Sequence, residues 1–424
     1  MMRELPPRRN GSRVVITGMG ALTPVGLTAE ETWANLLAGR SGIDTMTIPG
    51  LEDCPCQIAA ELKGFDPQEF LGPKESRRMA RFSQLAVIAA RMALEDSGLE
   101  LTDDEREDVG VVQGTAVGGT VIETEDGLRR LGEKSLMRVS PNHLMALPPN
   151  MAAFHIARTF GFHGYCNTTV TACAAGAQAI GDAAEWIRHG RSEIMISGGS
   201  EATLTPLAFA SFARVRALST RNGDPTAAMR PFDVDRDGFV MSEGSAIFVL
   251  ESLEHATQRG ARIYAEVLGY AANTDGYHVI APNPDPSGPI KAIRQALADA
   301  GLGPQDVDYI NAHGTGTPLG DVAETIAIKK AFGEYAYDVP ISSTKSMLGH
   351  SLGASGAIES LACVMTIRDN MIAPTINLDE ADPECDLDYV PLTARAANVD
   401  VALNNSFGMG NQNACLVLTS YNRN

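Results

Sequence analysis

Hydrophobic residues fall in short strand-like runs that alternate with stretches of helical spacing. The runs VVITGMG and VGVVQGT read as buried strands that end in glycine. Between them, AARMALEDSGL has apolar residues at helical spacing and stops at Gly98. Strands that alternate with helices of this length predict an α/β architecture.

The second half of the chain repeats the first. AIRQALADAGL and GPQDVDYINAHGTGT match AARMALEDSGL and DDEREDVGVVQGTAVGG, so Gly301 follows Gly98 by 203 residues. A second pair, TTVTACAAGAQAIGDA and SSTKSMLGHSLGASGAIES, runs from a strand end into a helix of small residues. The repeat predicts two similar halves, 1–258 and 259–424, packed about a pseudo-two-fold axis with the helix at 172–183 between two sheets.

Composition and charge restrict the function. The chain has 424 residues and a formal charge of −18, which argues against nucleic acid or an anionic membrane as the main partner. No apolar run is long enough to span a membrane, and MMRELPPRRNGSR lacks a signal-peptide core. The cysteines show no disulfide spacing, which indicates a reducing cytoplasm. They stand at positions 54, 56, 166, 173, 363, 385 and 415.

Cys173 is the candidate nucleophile. It lies in T-A-C-A-A-G-A, where a strand is predicted to meet a helix. The positive end of a helix dipole favours the thiolate, which predicts a lowered thiol pKa. Gly176 is expected to leave room for a bulky group near the sulfur. The alternative is an inert buried cysteine, a common fate of free thiols.

Two histidines lie in Gly-rich turns after predicted strands, where they would assist a nucleophile. His313 lies in N-A-H-G-T-G-T at a predicted strand end, and His350 lies in K-S-M-L-G-H-S-L-G, at a helix start expected to match that of Cys173. Pseudo-symmetry is expected to bring the two helix starts together. The remaining histidines lack Gly-rich turns after strands: His143, His155, His163, His189, His255 and His278.

Three other local patterns resemble known functional motifs but lack residues that those motifs need. G-H-S-L-G fits the nucleophile elbow of serine hydrolases, but no histidine follows Ser351 to serve as its base. The first glycine-rich turn misplaces the third glycine of a dinucleotide fingerprint. Cys54 and Cys56 have no second ligand pair for zinc. The loop-like segment 219–245 is expected to cover a site.

Taken together, T-A-C-A-A-G, N-A-H-G-T-G-T and K-S-M-L-G-H-S-L-G-A-S-G-A resemble the Cys-His-His signature of β-ketoacyl-acyl carrier protein synthases. The similarity covers about residues 12–420 and includes R-A-L-S-T-R-N, R-P-F-D-x-x-R-D-G-F-V and P-T-I-N-L-D. The chain resembles synthase II, the elongating form, and type II polyketide ketosynthases share these motifs. The resemblance implies a five-layered α-β-α-β-α thiolase fold with two pseudo-symmetric halves, working as a homodimer.

The resemblance also implies a chemistry, the decarboxylative condensation of an acyl-enzyme with malonyl-acyl carrier protein. Cys173 would carry the acyl group, and its backbone N–H and that of Met409 would form an oxyanion hole. His313 and His350 would donate hydrogen bonds to the malonyl thioester carbonyl. Lys345 would position the histidine pair. Substrates arrive on the phosphopantetheine of acyl carrier protein, and no other cofactor is implied.

Further residues match positions of the family. Glu324 would organise the site, while Thr315 and Thr317 would bind the phosphopantetheine arm. Phe407 and Val117 are the expected neighbours of Met409 on the substrate side. The carrier would dock on a basic group of four residues: Lys74, Arg77, Arg78 and Arg216. A structural monovalent cation would lie at Asn311, Glu359, Asn404 and Asn405, although Asn404 replaces a family serine.

One departure from the family concerns the gate beside the nucleophile. The family sequence G-F-G-G-T-N is G-M-G-N-Q-N here, so Met409 replaces a phenylalanine, and Asn411 and Gln412 replace a glycine and a threonine. Two other classes fit less well. A non-condensing partner subunit lacks the cysteine, and a thiolase needs a second cysteine base, whereas Cys385 lies in an acidic loop.

Overall fold

The computed structural model describes residues 11–133, 137 and 139–421, so the first ten residues of the predicted N-terminal half lie outside it. Its strands are β1 (Val14–Leu22), β2 (Asp44–Thr45), β3 (Ile58–Ala59), β4 (Gly110–Gly114), β5 (Cys166–Thr169), β6 (Ile194–Glu201), β7 (Gly244–Ser252), β8 (Ala265–Thr274), β9 (Tyr309–Asn311), β10 (Ile341–Ser342), β11 (Met371–Ile372), β12 (Arg395–Ala396), β13 (Val401–Gly408) and β14 (Gln412–Thr419).

The α-helices alternate with these strands, as the hydrophobic pattern predicts. They are α1 (Ala29–Leu37), α2 (Pro67–Ser76), α3 (Arg81–Ser97), α4 (Asp103–Arg106), α5 (Thr120–Glu133), α6 (His143–Ala146), α7 (Met151–Phe160), α8 (Ala175–Arg188), α9 (Pro206–Arg214), α10 (Leu253–Gln258), α11 (Ser287–Ala300), α12 (Pro318–Phe332), α13 (Lys345–Leu348) and α14 (Ser355–Asp369). Short 3₁₀ turns at Ala172–Ala174 and Leu352–Ala354 precede α8 and α14.

The large sheet consists of two halves with the same strand order. Its ten strands run β10-β9-β13-β14-β8-β1-β7-β6-β4-β5. Reading outward from the centre, β1-β7-β6-β4-β5 corresponds to β8-β14-β13-β9-β10. The halves meet where β1 pairs with β8 over only two residue pairs, Val15 with Glu266 and Ile16 with Ala265. The two-half α/β fold predicted from the repeat is therefore confirmed, while the division at residue 258 stays a prediction.

Helices and sheet halves stack in five layers. Helices α3 and α7 share a core with β4, β6 and β7 on one outer face. Helices α11 and α12 share another core with β8, β9 and β14 on the other outer face. Between the two sheet halves lie α8 and α14, and the residues of α14 from Ser355 to Ile367 are all buried. The sandwiched small-residue helix predicted at 172–183 is α8.

Glycine allows α8 and α14 to cross in close contact. A Cβ on Gly176 would lie 2.8 Å from the backbone nitrogen of Ala357, and one on Gly356 would lie 2.7 Å from that of Ala177. Contacts this short exclude a side chain at either position. The expectation that Gly176 leaves room for substrate is wrong, because its free side is filled by the backbone of α14.

The repeat holds locally but not at one constant spacing. Gly98 and Gly301 both end a helix in the left-handed conformation, with φ of 58° and 70°. At the buried helices the spacing is 180 residues, since Ala172 and Leu352 share an unusual positive φ of 50° and 45°. The counterpart of Cys173 is therefore Gly353. The expected match between the two helix starts is confirmed, and His350 lies in the loop just before the second of them.

The segment 219–245 lies against the predicted site. The ring of Phe239 meets the imidazole of His350 edge-on with 5.2 Å between centroids. Phe239 therefore lies at the predicted site, while the covering role of the whole segment stays a prediction. Within the described ranges, no helix has the length and apolar character needed to cross a membrane.

Candidate active site

A cavity of about 450 Å³ is lined by residues of both halves. Cys173, His313 and His350 line it together with Phe407 and Met409. These residues come from the 3₁₀ turn before α8, the loop after β9, the loop before α14 and the end of β13. The structure thus brings together the three residues predicted to carry the chemistry.

Cys173 is buried, with 5% of its surface exposed. Burial raises the pKa of its thiol to about 11, because a thiolate loses its hydration there. The backbone N–H of Met409, which donates to the sulfur, and the charge of Lys345 oppose the rise. The lowered pKa predicted from the position of Cys173 at a helix start is therefore wrong, because burial is the largest influence on the thiol.

His350 faces the sulfur, and the two histidines face each other. The Nε2 atom of His350 lies 3.1 Å from the Sγ atom of Cys173, and its Nδ1 atom lies 2.9 Å from the Oγ atom of Ser355. The rings of His313 and His350 are 5.5 Å apart and nearly perpendicular. Burial and the charge of Lys345 lower both histidine pKa values well below the usual range, so both imidazoles are neutral.

Lys345 contacts the loop and ring of His313, and its role in positioning the histidines stays a prediction. Its Nζ atom donates to the backbone oxygen of His313 at 2.6 Å and lies 3.5 Å from the Nδ1 atom of that ring. It also forms a buried ion pair with Glu359. An ammonium has only donors, so it faces Nδ1 favourably when Nδ1 is an acceptor. The proton of neutral His313 is then on Nε2.

Glu324 acts on the backbone of the loop that carries His313. Its carboxylate accepts the backbone N–H of His313 at 2.8 Å and that of Gly314 at 2.7 Å. Burial raises the pKa of Glu324 to about 7. Asp321 holds the next turn, since it accepts the backbone N–H of Gly316 at 3.1 Å and that of Phe232 at 2.8 Å.

The predicted substrate residues divide into two groups. Thr315 and Thr317 line the cavity, with their Oγ1 atoms 3.1 Å apart, and Phe407 lies 6.0 Å from His313 between ring centroids. Val117 lies outside the cavity lining, and its backbone N–H points to Glu201. Whether these residues bind substrate stays a prediction.

Sequence reasoning missed Glu201 and Ser355. Glu201 ends β6 and is fully buried, where it accepts a hydrogen bond from Thr115 at 3.1 Å and one from Thr203 at 2.9 Å. Burial raises its pKa to about 7. The motif G-G-S-E at the end of a predicted strand could have identified Glu201 from the sequence. No signal distinguished Ser355 from the other small residues of its helix.

The turn after β13 is tied to a loop at the cavity mouth. Asn411 has φ of 55°, and its amide donates to the backbone oxygen of Ala281 at 3.1 Å. Its side-chain oxygen accepts the backbone N–H of His278 at 3.4 Å. Beside it, the backbone N–H of Gly410 donates to Val279 at 3.1 Å. The asparagine that departs from the family motif thus fastens the Met409 turn.

The residues predicted to dock the carrier are exposed but separate. Arg216 lines the cavity. Lys74, Arg77 and Arg78 lie at the end of α2, outside the cavity lining, and Arg78 pairs with Glu75 at 2.8 Å. The predicted group therefore has one member at the mouth and three on the neighbouring surface.

Three of the four residues predicted to bind a cation have a buried side-chain oxygen without a hydrogen-bond partner among the described residues: Oδ1 of Asn311, Oδ1 of Asn404 and Oε2 of Glu359. Asn311 and Asn404 are register partners on adjacent strands. Unpaired buried acceptors are costly, and a cation would satisfy them. The Asn405 amide instead points to Glu324 at 3.4 Å, so its side chain does not join the set.

Comparison with known proteins identifies the family. The model "Beta-ketoacyl synthase, N-terminal domain" matches residues 11–256, and "Beta-ketoacyl synthase, C-terminal domain" matches residues 264–379. The chain belongs to the β-ketoacyl synthase family, as its three motifs predict. It is 51% identical to 3-oxoacyl-[acyl-carrier-protein] synthase 2 of Synechocystis sp. over 96% of this chain and 98% of the relative. The synthase 2 of Staphylococcus aureus is 47% identical over the same shares.

Solved structures agree with the fold. A β-ketoacyl synthase from Burkholderia phymatum superposes with a TM-score of 0.90 at 39% identity, covering 97% of this chain and all of the other. A ketosynthase of a type II polyketide synthase, solved in complex with its acyl carrier protein, gives 0.89 at 36% identity with the same coverage. The thiolase fold predicted from the motifs is confirmed.

Proposed function

We propose that this protein elongates fatty acyl chains as a 3-oxoacyl-acyl carrier protein synthase of type II. The observation that carries the proposal is the arrangement of one thiol and two neutral imidazoles in a single cavity. Cys173 Sγ lies 3.1 Å from His350 Nε2, and the His313 ring lies 5.5 Å from that of His350. One nucleophile and two hydrogen-bond donors suffice for acyl transfer followed by decarboxylative condensation.

The first half-reaction loads the acyl chain. The Cys173 sulfur attacks the thioester carbonyl, its S–H bond breaks, and the carrier sulfur leaves with the proton. The backbone N–H of Met409 already donates to this sulfur, and it stabilises negative charge as the thiol ionises. The high thiol pKa means that the resting nucleophile is the protonated thiol.

The second half-reaction forms the carbon–carbon bond. The carbonyl oxygen of malonyl-acyl carrier protein accepts hydrogen bonds from His313 and His350. The bond to the carboxyl carbon breaks, CO₂ leaves, and its electron pair forms an enolate that the two donors stabilise. The enolate attacks the acyl-enzyme, and the Cys173 thiolate departs and takes up a proton. Neutral donors suit this step, because they stabilise the enolate without protonating it.

A monovalent cation would fit the buried oxygens of Asn311, Asn404 and Glu359. Its charge would fix the carboxylate that pairs with Lys345, and through Lys345 the loop of His313. The melting temperature should rise with potassium or sodium over choline chloride at equal ionic strength. Asn404→Ala, which removes one of the three unpartnered oxygens, should reduce that difference. A melting temperature that is the same in all three salts would contradict the cation site.

Acyl carrier protein is the partner in this proposal, and the protein acts as a homodimer. The carrier brings its phosphopantetheine to the cavity mouth, where Thr315 and Thr317 lie. A thiolase reaction is less favoured, because Cys173 is the one cysteine lining the cavity within the described ranges. A polyketide ketosynthase would use the same residues. However, this chain is 36–39% identical to the ketosynthases of solved structure and 47–51% identical to the curated 3-oxoacyl-acyl carrier protein synthases.

Product analysis tests the function. The protein is mixed with malonyl-acyl carrier protein and saturated acyl carriers of increasing length, and products are read by mass spectrometry of the carrier. One two-carbon addition to saturated chains is expected. Repeated addition without reduction, giving poly-β-keto chains, would favour the polyketide reaction. An absence of both products, with carriers shown to be loaded, would overturn the proposal.

A further inference from the structure

A buried serine stands behind the histidine that faces the nucleophile. Ser355 is the first residue of α14, and its Oγ atom lies 2.9 Å from His350 Nδ1. On the other side it lies 3.2 Å from the Oγ atom of Ser351. Both serines are buried, with 3% and 4% of their surfaces exposed. The contacts therefore form a continuous series that runs from Ser351 through Ser355 and His350 to the Cys173 sulfur.

We propose that Ser355 is the positioning residue that fixes the tautomer of His350, so that Nε2 carries the proton and donates to the reacting groups. This inference rests on the proposed function. A hydroxyl has one hydrogen to donate. In this arrangement the Ser351 hydroxyl donates to Ser355 Oγ, and the Ser355 hydroxyl donates to His350 Nδ1, so each hydrogen is used once. Nδ1 is then an acceptor, and Nε2–H points at the Cys173 sulfur. No proton is transferred through the serines.

The other histidine has an equivalent arrangement. Lys345 Nζ, which can only donate, lies 3.5 Å from His313 Nδ1. Each catalytic histidine thus has a donor behind Nδ1 and directs Nε2–H to the cavity. In His313 the donor is an ammonium, and in His350 it is a neutral hydroxyl. A neutral donor fits the helix start, where the dipole disfavours a further positive charge.

The pseudo-symmetry indicates that the hydroxyl serves the histidine. Position 355 corresponds to position 175, since the preceding turns Ala172–Ala174 and Leu352–Ala354 match. The residue at position 175 is alanine, which is completely buried against the same helix pair. Packing at this position therefore needs only a methyl group. The hydroxyl is present only in the half that carries His350.

The test compares Ser355→Ala with Ser355→Thr, which keeps the hydroxyl. Ser355→Ala should slow malonyl-carrier decarboxylation roughly tenfold, the effect of losing one buried hydrogen bond. Ser355→Thr should restore most of it. Thr366→Val is the matched control, because it removes a buried hydroxyl of the same helix that has no partner among the described residues. It should leave the rate unchanged.

Nitrogen-15 NMR of histidine-labelled protein gives a direct readout. In the wild type, the His350 signals should show Nδ1 unprotonated and Nε2 protonated, and Ser355→Ala should shift protonation towards Nδ1. Protonated Nδ1 in the wild type, or a tautomer that is the same in Ser355→Ala, would overturn the inference. A wild-type protein without condensation activity would instead overturn the proposed function, since the tautomer is measured without substrate.

Discussion

The Nε2 atom of His350 lies 3.1 Å from the Sγ atom of Cys173, although 177 positions separate the two residues in the chain. The contact joins the loop before α14 to the turn before α8. These helices cross so closely that glycines are required on both. The distance between nucleophile and histidine therefore depends on the packing of the two halves.

The buried thiol predicts an unusual pH dependence. Its pKa is raised to about 11, so at pH 7 to 9 the thiol is protonated and the thiolate fraction grows with pH. The rate of iodoacetamide labelling at Cys173, followed by peptide mass spectrometry, should still rise between pH 9 and 10. Glutathione in the same tube should level off near the ordinary thiol range. A plateau for Cys173 below pH 8 would contradict the raised pKa.

Replacing either histidine should separate the half-reactions. In His313→Ala and His350→Ala, decarboxylation should fall by about 10²–10³-fold, the usual effect of losing an oxyanion donor. Transfer of a radiolabelled acyl group to Cys173 should fall less, and Cys173→Ala should abolish that transfer. Loss of acylation with decarboxylation intact would mean that the roles assigned to the histidines are wrong.

Charge reversal at the two arginines that follow α2 tests carrier docking. Arg77→Glu with Arg78→Glu should raise KM for the acyl carrier and weaken its salt dependence, because attraction to an acidic carrier is lost. Turnover of a small acyl thioester should be unaffected. Lys291→Glu with Arg294→Glu is the control, since it makes the same charge change at exposed positions of α11. Equal KM values for the two double variants would exclude this surface.

Met409 tests how side-chain flexibility affects loading. Methionine is unbranched and moves through small torsional changes, whereas a phenylalanine ring must swing as a unit. Met409→Phe should slow acylation of Cys173, and should do so more for long acyl carriers than for short ones. The backbone N–H that faces Cys173 is kept in this variant. Loading rates that match the wild type at every chain length would leave Met409 a packing residue.

Asn411→Gly tests the fastening of the same turn. The variant keeps the left-handed backbone but loses the side-chain bonds to His278 and Ala281. Amide hydrogen exchange should become faster in segments 278–281 and 408–411 by up to about tenfold. Gln412→Thr alters the adjacent position without removing those bonds and should not change exchange there. Unchanged exchange in Asn411→Gly would show that the bonds do not hold the turn.

Several residues could be predicted because their signals are local. Cys173 and His313 stand at strand ends beside glycine-rich turns, and Gly98 and Gly301 mark the repeat. Glu324 was predicted only through the family motif, and its contact with the loop backbone became visible in the structure. Val117 and Asn405 were placed by analogy. Val117 lies outside the cavity lining, and the Asn405 amide points to Glu324.

The sequence by itself determined the α/β class, the internal repeat and the three motifs, because each depends on residue types at short spacing. The tertiary structure alone decided the electrostatics. Burial raises the pKa of Cys173, whereas its position at a helix start suggested a lowered one, and burial also keeps both histidines neutral. The tertiary structure likewise decided the hydrogen-bond partner of His350 Nδ1. Ser355 reaches this atom because the loop before α14 folds back onto the start of its own helix. Desolvation and partner choice depend on surroundings that distant segments supply, and no local pattern encodes them.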